Sequence, residues 1–124
     1  MVQTDVSQLS TECTEWRQIL RNYKDEFQEC KKVLQEICRN TLPKDQLLEV
    51  EHFDNQFHIQ LINIHDLKQL IKHHERRAAT EADSVSEETY SEHEHLLTDF
   101  LALESTLQEL RQDFKQFIGK VSCG

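Results

Sequence analysis

The chain has 124 residues, of which 37% are hydrophobic and 30% are charged, and it contains only 2 Gly and 1 Pro. So few turn-forming residues exclude an ordinary all-β or α/β domain and a Gly-rich phosphate-binding loop, and they predict one almost wholly helical domain. The 14 Lys and Arg against 23 Asp and Glu give a net charge of -9, which argues against binding to nucleic acid or to anionic membrane surfaces.

The first predicted helix spans about residues 5–39 and carries apolar side chains at alternating steps of four and three. These side chains are Leu9, Cys13, Trp16, Leu20, Tyr23, Phe27, Cys30, Leu34 and Ile37. An unbroken heptad pattern of this kind keeps one face of the helix against a partner helix. Asn40 suits the end of this helix and Pro43 the first turn of the next, which places a short connection at about residues 40–43.

The second predicted helix spans about residues 43–79 and repeats the heptad pattern. Its predicted core positions are Leu47, Val50, Phe53, Phe57, Leu61, Ile64, Leu67, Ile71, His74 and Ala78. Leu48, Ile59, Ile62 and Leu70 lie beside these positions and widen the apolar face, so we expect this helix to contact both of the others.

The third predicted helix spans about residues 85–118, after a polar stretch in which Ser84 and Glu87 have the spacing of a capping box. Its predicted core positions are Val85, Thr89, Glu92, Leu96, Phe100, Leu103, Leu107, Leu110, Phe114, Phe117 and Val121. The step of four from Leu96 to Phe100 indicates a stutter in the heptad pattern, and Gly119 and Gly124 are expected to end the helix.

Three helices of about 35 residues with short connections predict an all-α fold, an elongated antiparallel three-helix bundle running up, down and up. Trp16 in the first helix and residues 51–57 in the second, with the sequence EHFDNQF, resemble a group of uncharacterised bacterial three-helix proteins. The architecture also resembles a spectrin-type repeat. Both resemblances imply a fold and carry no activity and no functional residues.

A candidate zinc site lies at the end of the bundle where the second and third helices connect. In an antiparallel pair His74 lies opposite Glu92, His95 follows Glu92 by about one turn, and the first helix reaches this level near Cys13. Cys, His and Glu are the ligand types that zinc takes in proteins. The alternative is that these polar groups are half exposed at the bundle end and hydrogen-bond to each other or to water.

The cysteines outside this site are predicted to be free thiols or, for Cys38 with Cys123, a possible pair at the end where the parallel first and third helices finish. Within the first helix, Cys13, Cys30 and Cys38 are too far apart along the helix axis to form a disulfide with one another. The start of the chain lacks the basic and apolar pattern of an export signal, so we expect a cytoplasmic protein with reduced cysteines.

No nucleophile motif, phosphate-binding loop or Cys-x-x-Cys pair occurs, so a non-enzymatic role without a cofactor is predicted. We expect an interaction or scaffold module that forms a homo-oligomer or binds another helical protein, with no nucleic acid or membrane partner. Residues 78–110 contain nine acids and no Lys or Arg. Lys68, Lys72, Arg76 and Arg77 are expected to neutralise the first of these acids. Asp99, Glu104 and Glu109 are left as a candidate partner-binding surface or, alternatively, a solvated face.

Overall fold

The computed structural model describes residues 5–38, 41–81 and 85–122 and confirms the predicted all-α three-helix bundle. The helices are α1 (Val6–Ile37), α2 (Lys44–Ala78) and α3 (Glu87–Ser122), and the described residues contain no further helix or strand. Their boundaries lie within a few residues of those predicted. None of the helices in these described ranges is long and apolar enough to cross a membrane.

Polar caps fix where α1 and α3 begin. The Asp5 carboxylate accepts the backbone N–H of Gln8 at 2.6 Å, which satisfies one of the unpaired donors in the first turn of α1. At α3 the cap is Ser86, whose hydroxyl accepts the backbone N–H of Thr89 at 3.2 Å. The predicted capping residue Ser84 lies outside the described residues.

Glu81 completes the cap of α3 from the connecting segment. Its carboxylate accepts the Ser86 backbone N–H at 2.8 Å and the Thr89 hydroxyl at 2.6 Å. These hydrogen bonds, the one from Thr89 foremost, lower the pKa of Glu81. The connection between α2 and α3 is therefore tied to the first turn of α3.

α3 extends past its predicted end at about residue 118, because the helix continues through Gly119 to Ser122. Gly124 lies outside the described residues. Gly119 does not have a positive φ, and a Cβ built there would meet nothing within 4 Å. A glycine in a helix interior costs about 1 kcal/mol relative to alanine, which a long helix packed along its length tolerates.

Contacts between the helices establish the predicted up-down-up topology. Phe27 of α1 packs against Phe57 of α2 with ring centroids 5.1 Å apart, whereas Arg17, earlier in α1, pairs with Glu75, later in α2, so these helices are antiparallel. Between α1 and α3, by contrast, residues later in α1 contact residues later in α3. Trp16 stacks on His93 and Phe100, while Glu26 pairs with Arg111, so these two helices are parallel.

The middle of the core is a cluster of aromatic rings from all three helices, formed by Phe27, Phe53, Phe57, Phe114 and Phe117. Phe57 lies 5.1 Å from Phe27 and 5.0 Å from Phe114 between ring centroids. Phe27 and Phe57 are both fully buried, as their heptad positions predicted. Aromatic pairs at these separations add to the free energy gained from burial alone.

Three predicted core positions are wrong. Leu47 of α2 is exposed, and at the other two a polar side chain takes the buried position. Gln60 is buried in α2 where Leu61 was predicted, and the Gln60 carbonyl accepts the Asn63 amide at 3.2 Å. His93 is buried in α3 where Glu92 was predicted. With His93 in the core, the steps from Thr89 alternate four and three, so the predicted stutter at Leu96 is absent.

α2 contacts both neighbouring helices, as predicted, but not through a widened apolar face. Leu48, Ile59, Ile62 and Leu70, which were expected to supply that width, are all exposed. A rotation of about 100° per residue places these four side chains within an arc of about 80° on α2, away from the core. These four residues form the exposed apolar stripe of α2.

Candidate metal centre

Three side chains of types that can ligate a metal ion meet in the core near the connection between α2 and α3. Cys13 comes from α1, His74 from α2 and His93 from α3, each at a heptad position that faces the centre of the bundle. All three are buried, with 0%, 2% and 3% of their surface exposed. The thiol sulfur and one ring nitrogen of each histidine lie within 4.8 Å of one another.

The two imidazoles are held side by side. His74 Nε2 and His93 Nδ1 are 3.1 Å apart, and the rings stack with centroids 5.2 Å apart. Trp16 stacks on His93 at 4.7 Å between centroids. Packing from α1 and α2 therefore limits the movement of the His93 ring.

A carboxylate holds the outer nitrogen of each histidine. Glu92 Oε1 lies 2.5 Å from His74 Nδ1, and Glu12 Oε2 lies 2.5 Å from His93 Nε2. Glu92 is itself oriented by Arg77, whose Nη1 donates to Glu92 Oε2 at 3.0 Å. Carboxylates in this position fix the tautomer and orientation of metal-binding histidines and make them better ligands.

The two histidines have too few N–H groups for the three contacts that link them to each other and to the two carboxylates. The contacts Glu92–His74, His74–His93 and His93–Glu12 each need one hydrogen, because a carboxylate supplies none when ionised. Two neutral imidazoles carry only two N–H groups. When both are used toward the carboxylates, the two inner nitrogens present lone pairs to each other, and a cation is needed between them. That cation is either an additional proton or a metal ion.

Burial also governs the Cys13 thiol. It raises the pKa of the thiol to about 12, with Glu75 adding to the effect and Arg17 opposing it. Without a metal the thiol is therefore protonated at neutral pH and serves as a small apolar core group. A metal ion bound here has to displace that proton.

The structure brings together two of the four residues of the predicted zinc site, and His93 is the third member of the observed cluster. Cys13 and His74 meet as predicted. Glu92 contacts the outer nitrogen of His74 and is not among the clustered ligand atoms. His95 is exposed, because it lies two residues beyond His93 and so on another side of α3. His93 was missed, although stepping back by three from Leu96 places it in the core.

Among the remaining predictions, the pairing of Cys38 with Cys123 concerns a residue outside the described ranges, namely Cys123. Cys38 is exposed at the end of α1 and forms no disulfide with another described cysteine. Of the four basic residues expected to pair with the acids of α3, only Arg77 does so within the described residues, through Glu92 and Glu88. Lys68 and Lys72 instead line a groove against α1.

The predicted acidic surface does not form one stripe. Asp99 and Glu109 are exposed, whereas Glu104 is half-buried. Successive steps of five residues turn by about 140° around a helix, so the three carboxylates point to different sides of α3. Binding of a partner by these residues stays a prediction.

Comparison of the chain with protein-family models, with curated proteins and with solved structures found no match in any of the three. The resemblance drawn from Trp16 and residues 51–57 stays a prediction.

Proposed function

We propose that the chain is a non-enzymatic metal-binding helical bundle, in which Cys13, His74 and His93 hold one zinc ion. The observation that carries the proposal is the contact between the inner nitrogens of the two histidines, 3.1 Å apart, while their outer nitrogens contact carboxylates. One ligand comes from each helix, so the ion would join all three.

The spacing of the ligand atoms supports a tetrahedral ion. Zinc lies about 2.0–2.1 Å from imidazole nitrogen and about 2.3 Å from thiolate sulfur, which separates tetrahedral ligand atoms by about 3.3–3.6 Å. The two inner nitrogens are already 3.1 Å apart, and the Cys13 sulfur lies within 4.8 Å of one nitrogen of each ring. A small movement of the thiol brings all three into range.

The hydrogen-bond pattern supports the same assignment. With a metal ion between the rings, both imidazoles are neutral, each donates its one N–H to a carboxylate, and both inner lone pairs are used. Glu12 and Glu92 are each half-buried, which lets solvent moderate the cost of holding two carboxylates near the core. Both nitrogens of each imidazole are thus paired in the bound state, and a tetrahedral ion keeps one position for a further ligand.

Zinc and cobalt titrations test the proposal. The protein is prepared without a histidine tag, stripped with a chelator and titrated with Zn²⁺ against a competing chelator, and with Co²⁺ followed by absorption. We expect one ion per chain, a Co²⁺ spectrum of tetrahedral type with a thiolate-to-metal band, and a raised unfolding temperature with Zn²⁺.

His93→Gln and His95→Gln form a matched pair of variants on one helix, with a buried and an exposed histidine respectively. His93→Gln should weaken Zn²⁺ binding by at least about tenfold, whereas His95→Gln should bind like the original chain. Cys13→Ser should lose the thiolate band. Absence of binding by the original chain, or equal binding by the two histidine variants, overturns the proposal.

A second candidate function, self-association as a helical interaction module, is favoured by the exposed apolar stripe. Leu48, Ile62 and Leu70 are 58%, 48% and 56% exposed, and such side chains aligned on one helix suit a second copy of the same helix. In a symmetric dimer the stripe of one chain would pack on that of the other. The oligomeric state tests this candidate, as argued below.

A further inference from the structure

A groove between α1 and α2 concentrates positive charge on an acidic protein. Arg17, Arg21 and Lys24 of α1 and Lys68 and Lys72 of α2 line a cavity of about 330 Å³. These five side chains belong to a total of 14 Lys and Arg in a chain of net charge -9. The groove is therefore a positively charged region on a molecule whose net charge is negative.

Most of this charge has no partner in the described part of the chain. Arg17 pairs with Glu75 at 2.8 Å, and none of the other four cations lies within 4 Å of a described carboxylate. Arg17 also has a buried Nε atom that meets no described acceptor. The four cations without a carboxylate partner thus offer hydrogen-bond donors that the described part of the fold does not use.

The cations act on one another within the groove. The pKa of Lys68 is lowered, first by burial and then by Lys24 and Arg21, and Asp25 only partly offsets this. Repulsion of this kind is a cost that a bound anion removes.

We propose that the groove binds a small polyphosphorylated anion of about triphosphate size. Arg17 and Lys24 are seven residues apart, which corresponds to about 10 Å along α1 and lets several phosphates be contacted at once. Arg side chains bind phosphate through paired N–H groups and Lys side chains bind it as point charges. The groove shares no residue with the proposed metal centre.

The lining of the groove favours a small anion over a macromolecule. Its remaining residues, Thr14, Gln18 and Gln69, are polar, so no apolar side chain is present to anchor a protein segment. A nucleic acid would extend past the groove onto the rest of the surface, which would repel its phosphates because the chain as a whole has a net charge of -9. A compact polyanion meets only the cations.

Calorimetric titration with inorganic tripolyphosphate at low ionic strength tests the proposal, with EDTA present so that metal binding contributes no heat. Orthophosphate and an acidic peptide rich in Glu serve as competing probes. We expect saturable binding of one tripolyphosphate, at least about tenfold tighter than that of either other probe, and weakened by added NaCl.

Charge-matched variants separate a site from a general charge effect. Arg21→Glu with Lys72→Glu should weaken tripolyphosphate binding by at least about tenfold, as should the neutral pair Arg21→Gln with Lys72→Gln. Lys32→Glu with Lys120→Glu makes the same change in net charge at two exposed positions outside the groove and should change binding by less than about threefold. Circular dichroism checks that each variant is folded.

Equal weakening by the groove and control variants, tighter binding of the acidic peptide, or no saturable binding by the original chain overturns the proposal. Nuclear magnetic resonance shifts induced by tripolyphosphate provide a further check. They should be confined to the neighbourhood of Arg21 and Lys72, and shifts centred elsewhere overturn it as well.

Discussion

Glu92 and His74 are joined across the hairpin of α2 and α3, with 2.5 Å between Glu92 Oε1 and His74 Nδ1. The other oxygen of Glu92 accepts from Arg77, so the carboxylate is fixed from both sides. On the other side of the pair, Glu12 of α1 contacts the outer nitrogen of His93, with 2.5 Å between Glu12 Oε2 and His93 Nε2. The two glutamates orient the histidines without entering the cluster of ligand atoms.

The first prediction concerns these two carboxylates. Glu12→Gln and Glu92→Gln should each weaken Zn²⁺ binding by about 10- to 100-fold, because the histidines lose the partner that fixes their tautomer. Glu94→Gln removes an exposed carboxylate of α3, the helix that carries Glu92, and serves as the control. Chelator competition measures the affinities. Losses no larger than that of Glu94→Gln would show that the glutamates do not support a metal site.

The second prediction concerns stability at high pH in the presence of EDTA. Burial raises the pKa of Cys13 from 9.0 to about 12, so the thiol contributes fully below pH 9, where it is protonated in the folded and the unfolded chain alike. As pH rises from about 9 to about 12, the unfolded chain ionises first and the free energy of unfolding falls.

This pH dependence is measured as a difference between variants. The free energy of unfolding of the original chain minus that of Cys13→Ala should shrink by up to about 4 kcal/mol between pH 9 and pH 12. Cys38→Ala removes an exposed thiol and is the control. A difference that stays constant across this range would mean that Cys13 ionises as readily in the folded chain.

The fold was predictable from the sequence because the heptad pattern is nearly unbroken in all three helices. From Leu9 to Phe27 every predicted core position of α1 is buried. In antiparallel hairpins with short connections, the same pattern also sets the register, which brings Phe27 and Phe57 to one level of the bundle.

The candidate metal centre was only partly predictable, because a buried polar residue interrupts the pattern of apolar core positions. Counting forward from Thr89 in a step of three gives Glu92, whereas counting back from Leu96 in a step of three gives His93. Only packing decides between them, since Trp16 stacks on His93 and leaves Glu92 at the edge of the core. Gln60 and Leu61 in α2 present the same ambiguity.

The third prediction concerns the aromatic cluster. Phe57→Ala should lower the free energy of unfolding by about 3–5 kcal/mol, because it removes a fully buried ring that packs on Phe27 and Phe114. Leu48→Ala, at an exposed position of the same helix, should cost less than about 0.5 kcal/mol. Urea denaturation of both variants provides the measurement. A loss below about 1 kcal/mol for Phe57→Ala would contradict the register described for the first hairpin.

The last prediction concerns the exposed apolar stripe and the oligomeric state. Ile59 and Ile62 lie about one turn apart near the middle of the stripe, where a second copy of α2 would cover them. Sedimentation equilibrium of the original chain should therefore give a dimer at micromolar concentration, against a chain mass of 14.7 kDa. Ile59→Ser with Ile62→Ser should weaken the dimer by at least about tenfold, since two apolar side chains leave the interface. Leu101→Ser changes an equally exposed leucine on α3 and should leave the dimer unchanged. A mass of one chain at all concentrations, or equal weakening by the α2 and α3 variants, would show that the stripe does not mediate self-association.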